Sequence, residues 1–377
     1  MKSISFYIHI PFCIQKCLYC DFPSFAGCEK DFEIYVNCLI KELVLKSELL
    51  KKYEIKTIFF GGGTPTVLSQ ELLKEIMKTI FSNYCVASNA EITIEANPET
   101  LYLEKLIKLK KMGFNRISIG VQAWQNRLLK ILGRVHTIEK FCEIYKQARV
   151  AGFENINVDL MFSLPSQTIS EWKETLNNII NLQPEHISCY GLIIEPQTPF
   201  ETMLQSGKIS SINEITDRNM YDITKKMLNE NGYKQYEISN FSLKDKQCLH
   251  NIVYWRDEEY IGFGLGAHSY FNEERFYNTY NKKKYLSLKE NYKCLIEEKE
   301  KLDLKEQYAE FMFMGLRLME GIEKKRFFNR FKKDINDIYG KEINRLLKEN
   351  LIEQNEEKIW LTQRGIDVSN VVFERFI

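Results

Sequence analysis

The chain has 377 residues, 44% hydrophobic and 27% charged, with a formal net charge of +1. This is ordinary for a soluble globular protein with one large domain and a smaller one, and it offers no global field for nucleic acid or an anionic membrane. No apolar run reaches bilayer length, the N-terminal MKSISFYIHIPFC is too alternating for a signal peptide, and ten cysteines are too sparse for a disulfide scaffold, so a reducing cytoplasm is expected.

Six apolar, β-branched runs read as strands, at 5–10, 56–60, 91–95, 116–120, 155–160 and 186–192. Helical spacing fills the gaps. Phe32, Tyr35, Val36, Leu39, Ile40, Leu43 and Val44 form one apolar stripe behind an expected Asp31 cap, and Leu72, Leu73, Ile76, Met77 and Ile80 form another. Thr168 and Glu171 make a capping box, while Gly113 and Gly152 fall where left-handed C-terminal caps are expected. Strands alternating with helices specify a parallel sheet, and six such units suit an open, partial (β/α)6 barrel.

Directly after the first strand comes CIQKCLYC, with Cys13, Cys17 and Cys20 within eight residues. Three thiolates on a short loop suit three irons of a 4Fe–4S cubane, leaving the fourth iron open. The competing reading is zinc, which wants a fourth ligand, and His9 is the only one nearby. The second strand runs into GGGTPT at 61–66, where glycines let backbone approach a ligand; no Gly-Lys-Ser/Thr follows, so it is not a phosphate loop. Glu95 closes the third strand, Gln122 follows the fourth, Arg134 lies beyond it, and Asp159 closes the fifth. In a βα barrel the C-terminal strand ends face one mouth, so these residues should converge.

From about residue 240 the alternation fails. A Gly-rich aromatic stretch at 262–270 precedes a charged run at 297–305, read as a linker. The remainder reads as a helix over 308–319, two shorter helices, a hairpin around residues 355–357 and a last helix, an order resembling a winged helix. Residues 324–349 carry nine positive and four negative side chains, but this excess is local; docking or a lid role is favoured over DNA binding. The expected domains are therefore 1–240, 241–300 and 301–377.

YIHIPFC with CxxxCxYC, then GGGTPT, then the strand ending in Glu95 before NPET, resembles the radical SAM coproporphyrinogen oxidase-like family over nearly the whole chain. The resemblance implies a partial radical SAM barrel with a smaller C-terminal helical, winged-helix-like domain. It implies Cys13, Cys17 and Cys20 as cluster ligands, and S-adenosylmethionine (SAM) contacts from Tyr7, Tyr19, Gly62, Gly63, Thr64, Glu95, Gln122, Arg134 and Asp159.

The family's oxygen-independent coproporphyrinogen III oxidases have a fourth cysteine two residues after the third and a long N-terminal arm. Here Asp21 and Phe22 follow Cys20, and the first strand starts near residue 4. This pattern resembles the HemW-type branch of haem chaperones. His250-Asn-Ile-Val-Tyr254-Trp255 matches that branch's HNxxYW motif, which implies His250 as a haem ligand with Tyr254 or Trp255 against the porphyrin. Cys248 has no adjacent proline and is not named as ligand, and His268 is the weaker alternative. The expected function is haem delivery to recipient haem proteins, respiratory ones foremost, with the cluster gating dimerisation or transfer and only peripheral membrane contact. The alternative is a coproporphyrinogen III dehydrogenase using a 5′-deoxyadenosyl radical, which leaves enzyme status open. A DNA-binding regulator built on the C-terminal unit is the third reading.

Overall fold

The computed structural model describes residues 2–377. Six parallel strands, β1 (Lys2–Ile10), β2 (Tyr53–Gly62), β3 (Cys85–Ala96), β4 (Arg116–Gln122), β5 (Ile156–Phe162) and β6 (His186–Gly191), are hydrogen-bonded in chain order. Helices such as Phe32–Lys46, Gln70–Asn83, Ile138–Val150 and Ile169–Leu182 form the crossovers. Strand β4 is buried at every position. Its Ile117, Ile119 and Val121 join the main hydrophobic core, while Ser118, Gly120 and Gln122 line an internal cavity. That period of two is what a parallel strand covered on both faces imposes. The structure is thus the expected open α/β barrel, with each strand present.

The sheet does not stop at six. Antiparallel β7 (Lys234–Glu237) and β8 (Asn240–Ser242) extend it beyond β6. At the other end β9 (Tyr260–Phe263) runs parallel to β1, followed by antiparallel β10 (His268–Phe271), β11 (Glu274–Asn278) and β12 (Ile296–Lys301). The charged run expected as a linker is therefore largely the edge strand β12. Its Glu and Lys side chains are exposed, a charged edge of the kind that discourages further strand pairing.

Local signals mostly act as expected. Glu171 N donates to Thr168 Oγ1 at 3.2 Å and Thr168 N to Glu171 Oε2 at 2.9 Å, completing the capping box. Gly113 and Gly152 adopt φ of +103° and +90°. Asp31 departs from expectation: it caps nothing with its side chain, because a 3₁₀ turn precedes the helix and its carboxylate pairs with Lys282 at 2.7 Å.

The C-terminal residues build a second core around Tyr308, Phe311, Met312, Phe327, Leu346 and Ile359. Its first helix is Leu304–Gly315, four residues earlier than the apolar pattern indicated, because Asp303 and Glu306 form a capping box. Beyond it, Met319 N donates to Tyr236 O at 2.9 Å, tying this unit to β7. A three-stranded antiparallel sheet of Ile322–Glu323, Lys358–Leu361 and Ile352–Gln354 completes the winged-helix-like order. Two cations of the basic stretch turn inward: Arg330 pairs with Asp257 at 2.6 Å and Arg326 donates to Arg256 O at 2.8 Å. Arg275 reaches Glu310 at 2.5 Å across the same seam.

Candidate functional site

The loop after β1 is locked from two directions. Gly63 N donates to Ile10 O at 2.9 Å and Thr64 N to Phe12 O at 2.7 Å, so the glycine turn is pinned beneath the cysteine loop. A side chain at Gly63 would place its Cβ 2.6 Å from Phe12 O, and one at Gly62 would meet the His9 ring at 2.4 Å. Gly62 also has φ +107°, which favours glycine. The turn therefore serves close backbone packing as well as access.

Cys13, Cys17 and Cys20 are half-buried, outside any disulfide, and line one cavity of about 360 Å³. Among the described residues, no three His, Cys, Asp or Glu are gathered tightly enough to hold a single metal ion. The thiols instead share a wall. Thr64 Oγ1 lies 3.7 Å from the Cys13 sulfur, and Arg134 Nη1 lies 3.5 Å from that of Cys17. Burial pushes the Cys13 and Cys20 thiols up. A metal centre that binds thiolates would reverse that penalty, so free thiols with hydroxyl and guanidinium donors beside them fit a sulfur-ligated cluster.

The rest of the cavity wall comes from strand ends, as the barrel logic requires. Tyr19, Gly62, Gly63, Thr64, Glu95, Gln122, Arg134 and Asp159 all line it. Glu95 accepts from Gly62 N at 3.2 Å; burial, and then the Asp159 charge, push its carboxyl up to about 8. Asp159 accepts from Ser118 at 2.9 Å and Asn157 at 2.7 Å. Arg134 donates its second nitrogen to Gly120 O at 2.5 Å, and its Nε has no partner. Gln122 holds φ +72°, a strained conformation of the kind that collects at functional sites. Tyr7 stands one layer back. Its hydroxyl is hydrogen-bonded to His9 Nδ1 at 3.0 Å, and its ring lies against the place a Gly61 side chain would occupy.

Asn97, Ser118, Gly120, Met161 and Tyr190, not among the expected site residues, also line the cavity. Ser118 and Gly120 share parity with Gln122, and Met161 with Asp159, so the period of two was the available signal.

The HNxxYW segment forms a short helix, Leu249–Trp255, whose first turn is held by Glu91 accepting from Leu249 N and His250 N, each at 3.1 Å. His250 is 1% exposed and stacked on Phe59. Its Nδ1 bonds Thr57 Oγ1 at 2.7 Å and its Nε2 bonds the Tyr254 hydroxyl at 2.8 Å. Both ring nitrogens are engaged, and burial pushes its pKa down to about 3, so the imidazole is neutral. Tyr254 and Trp255, in contrast, line a second cavity of about 970 Å³ between the barrel and the C-terminal unit. Tyr190 borders both cavities. His268 lies elsewhere, exposed, stacked on Tyr277 and bonded to Tyr280.

Residues 7–179 match the Radical SAM superfamily, and residues 302–368 match the HemN C-terminal domain. The chain is 38% identical to the heme chaperone HemW of Bacillus subtilis, covering 100% of this chain and 99% of that one. It is 36% identical to the heme chaperone HemW of Lactococcus lactis over 100% and 98% of the two chains. With the Escherichia coli HemW the identity is 39% over 71% of this chain and 70% of the relative. Among solved structures, coproporphyrinogen III oxidase (HemN) from E. coli superimposes with a TM-score of 0.87 at 22% identity, over 100% of this chain and 90% of that one. At that identity the likeness is one of fold.

Proposed function

The chain belongs to the HemW family of radical SAM proteins, and on that premise we propose that it is a haem chaperone that carries a 4Fe–4S cluster and SAM and delivers haem to recipient haem proteins. Cys13, Cys17 and Cys20 hold the cluster. Tyr19, Gly62, Gly63, Thr64, Glu95, Gln122, Arg134 and Asp159 surround SAM, with Tyr7 supporting the wall from behind. A cluster on these three thiolates would leave one iron open to SAM and would supply the electron for chemistry at its sulfonium. Around it, Arg134 and Asp159 supply the charges that a carboxylate and an ammonium or ribose hydroxyl would meet.

The observation that carries the haem reading is the place of Tyr254 and Trp255, on the wall of a large cavity that shares Tyr190 with the cluster cavity. An aromatic wall of this kind suits a flat tetrapyrrole. His250 ligates haem iron in this proposal only if Nε2 first releases Tyr254; otherwise it fixes Tyr254 in place. Recipients would be haem proteins of the respiratory chain, met from the cytoplasm by peripheral contact, with the cluster gating dimerisation or transfer. No helix among the described residues is long and apolar enough to cross a membrane.

The test is an anaerobic haem titration followed by absorbance on wild type, His250→Ala and Trp255→Ala. Stoichiometric binding by wild type, weakened in Trp255→Ala, supports the chaperone; a spectral change confined to His250→Ala identifies the iron ligand. No binding by wild type above a nonspecific control sinks the reading. The competing reading is a coproporphyrinogen oxidase, favoured by the retained SAM wall and opposed by Asp21 and Phe22 where oxidases carry the further cysteine. Conversion of coproporphyrinogen by the loaded protein would establish it.

A further inference from the structure

Two arginines line the second cavity, and their surroundings differ. Arg218 is already matched, donating to Asp367 Oδ1 at 2.8 Å and to its backbone oxygen at 2.7 Å. Arg317, from the turn after Leu304–Gly315, forms no ion pair and no side-chain hydrogen bond among the described residues, and its buried Nε has no partner. Its guanidinium lies 4.4 Å from the Trp255 ring centroid and 5.9 Å from that of Phe373. The nearby carboxylate, Glu237, is 1% exposed and turned to other donors: Ser239 N at 2.8 Å and Asn240 Nδ2 at 2.5 Å. Leaving a cation largely out of water without a counter-ion is costly, and proteins retain such a group where a ligand supplies the charge. Burial lowers the Arg317 pKa, and the nearby Glu237 charge offsets this only in part.

The same wall holds two more unsatisfied groups. Trp255 Nε1 and Asn240 Oδ1 are both buried without partners, and Asn240 is 2% exposed. A donor, an acceptor and an unpaired guanidinium around one aromatic face make a recognition site for a flat ligand that ends in carboxylate.

We propose that Arg317, lying on the Trp255 indole, is the propionate anchor of the tetrapyrrole site, a cation contributed by the C-terminal unit to the cavity wall. The proposal rests on the chaperone reading and adds a residue and a chemical criterion: carboxylate ends, rather than the iron or the ring alone, position the cargo. A planar fork suits a carboxylate bidentately while lying on an indole face, which an ammonium does not reproduce in full. The C-terminal unit then forms part of the binding site.

The experiment compares haem with its dimethyl ester, which keeps the iron and ring but lacks the charged ends. Both are titrated into cluster-loaded full-length wild type, Arg317→Gln and Arg317→Lys, with SAM binding measured in parallel. The expected result is that Arg317→Gln weakens haem by about tenfold or more, leaves the ester near its wild-type affinity, and leaves SAM binding unchanged. Arg317→Lys should recover part of the haem affinity and so exclude misfolding as the cause. Equal haem affinity in Arg317→Gln and wild type, or a wild type that binds ester as tightly as haem, overturns the anchor while the chaperone reading stands. If wild type binds neither, the chaperone reading falls and the anchor with it.

Discussion

Arg134 reaches the sulfur of Cys17 at 3.5 Å with one guanidinium nitrogen and the carbonyl of Gly120 at 2.5 Å with the other. One side chain, 117 residues from Cys17 in sequence, thus connects the cysteine loop to the end of β4. Shortening it should loosen the cavity without removing any thiol. Arg134→Gln is predicted to retain its iron and sulfide per chain after anaerobic reconstitution, but to bind SAM about tenfold more weakly through the lost charge-assisted contacts. Equilibrium dialysis with labelled SAM checks this, and unchanged affinity would remove Arg134 from the SAM wall.

Gly63 is the glycine of the turn whose obstructing atoms cannot rotate aside, since they belong to the Phe12 backbone and lie at 2.6–2.9 Å. Gly63→Ala should cost about 1–3 kcal/mol through forced displacement of the cysteine loop. Urea unfolding would read the loss, together with lower cluster occupancy. Gly152→Ala is the control: nothing lies within 4 Å there, so its cost comes only from φ +90°.

Glu95 gives a pH dependence whose sign is fixed. Burial first, and then Asp159, raise its folded-state pKa from an ordinary 4.5 to about 8. The folded protein therefore binds this proton more tightly than the unfolded chain does. Its contribution to stability is present below about 4.5 and is lost as pH rises toward 8. Glu95→Gln should melt close to wild type at pH 5 and above it at pH 8, in the absence of SAM. An equal offset at both pH values would contradict the shifted carboxyl.

His250 works in the opposite sense. Burial and then Arg116 lower its pKa from 6.5 to about 3, so the unfolded chain takes up the proton first. Stability from the neutral ring is complete above about 6.5 and drains away as pH falls toward 3. Wild type should lose more stability between pH 7 and pH 5 than His250→Gln. At pH 7, His250→Ala should cost about 2–3 kcal/mol, because Thr57, 2% exposed, is left without its partner. Chemical denaturation at the two pH values measures both effects.

The first cavity was legible because its determinants are local. A cysteine triplet, a glycine turn and polar residues at strand ends are each visible in a few residues, and barrel topology alone brings them together. Even Ser118 and Met161 obey the strand parity that Gln122 and Asp159 announce. The flanking strands were harder to see. Between Tyr260 and Tyr270 the apolar alternation is interrupted by glycines, of which Gly262 is required because a Cβ there would lie 2.2 Å from His268 O. The same residues that permit close strand approach erase the pattern that marks a strand. The second cavity is assembled from residues between Phe162 and Asn370, and nothing around Arg317 in sequence marks it as facing Trp255. That relationship arises only when the C-terminal unit docks.

The two ends of the twelve-stranded sheet are closed by different means. Strand β12 presents a row of solvated Glu and Lys, and β7 is bridged from Glu237 to Leu318 of the C-terminal unit. Each device discourages strand-by-strand addition of an incoming chain. A pairing of two copies through side-chain faces would avoid both rims, and it would respond to what fills or reshapes those faces.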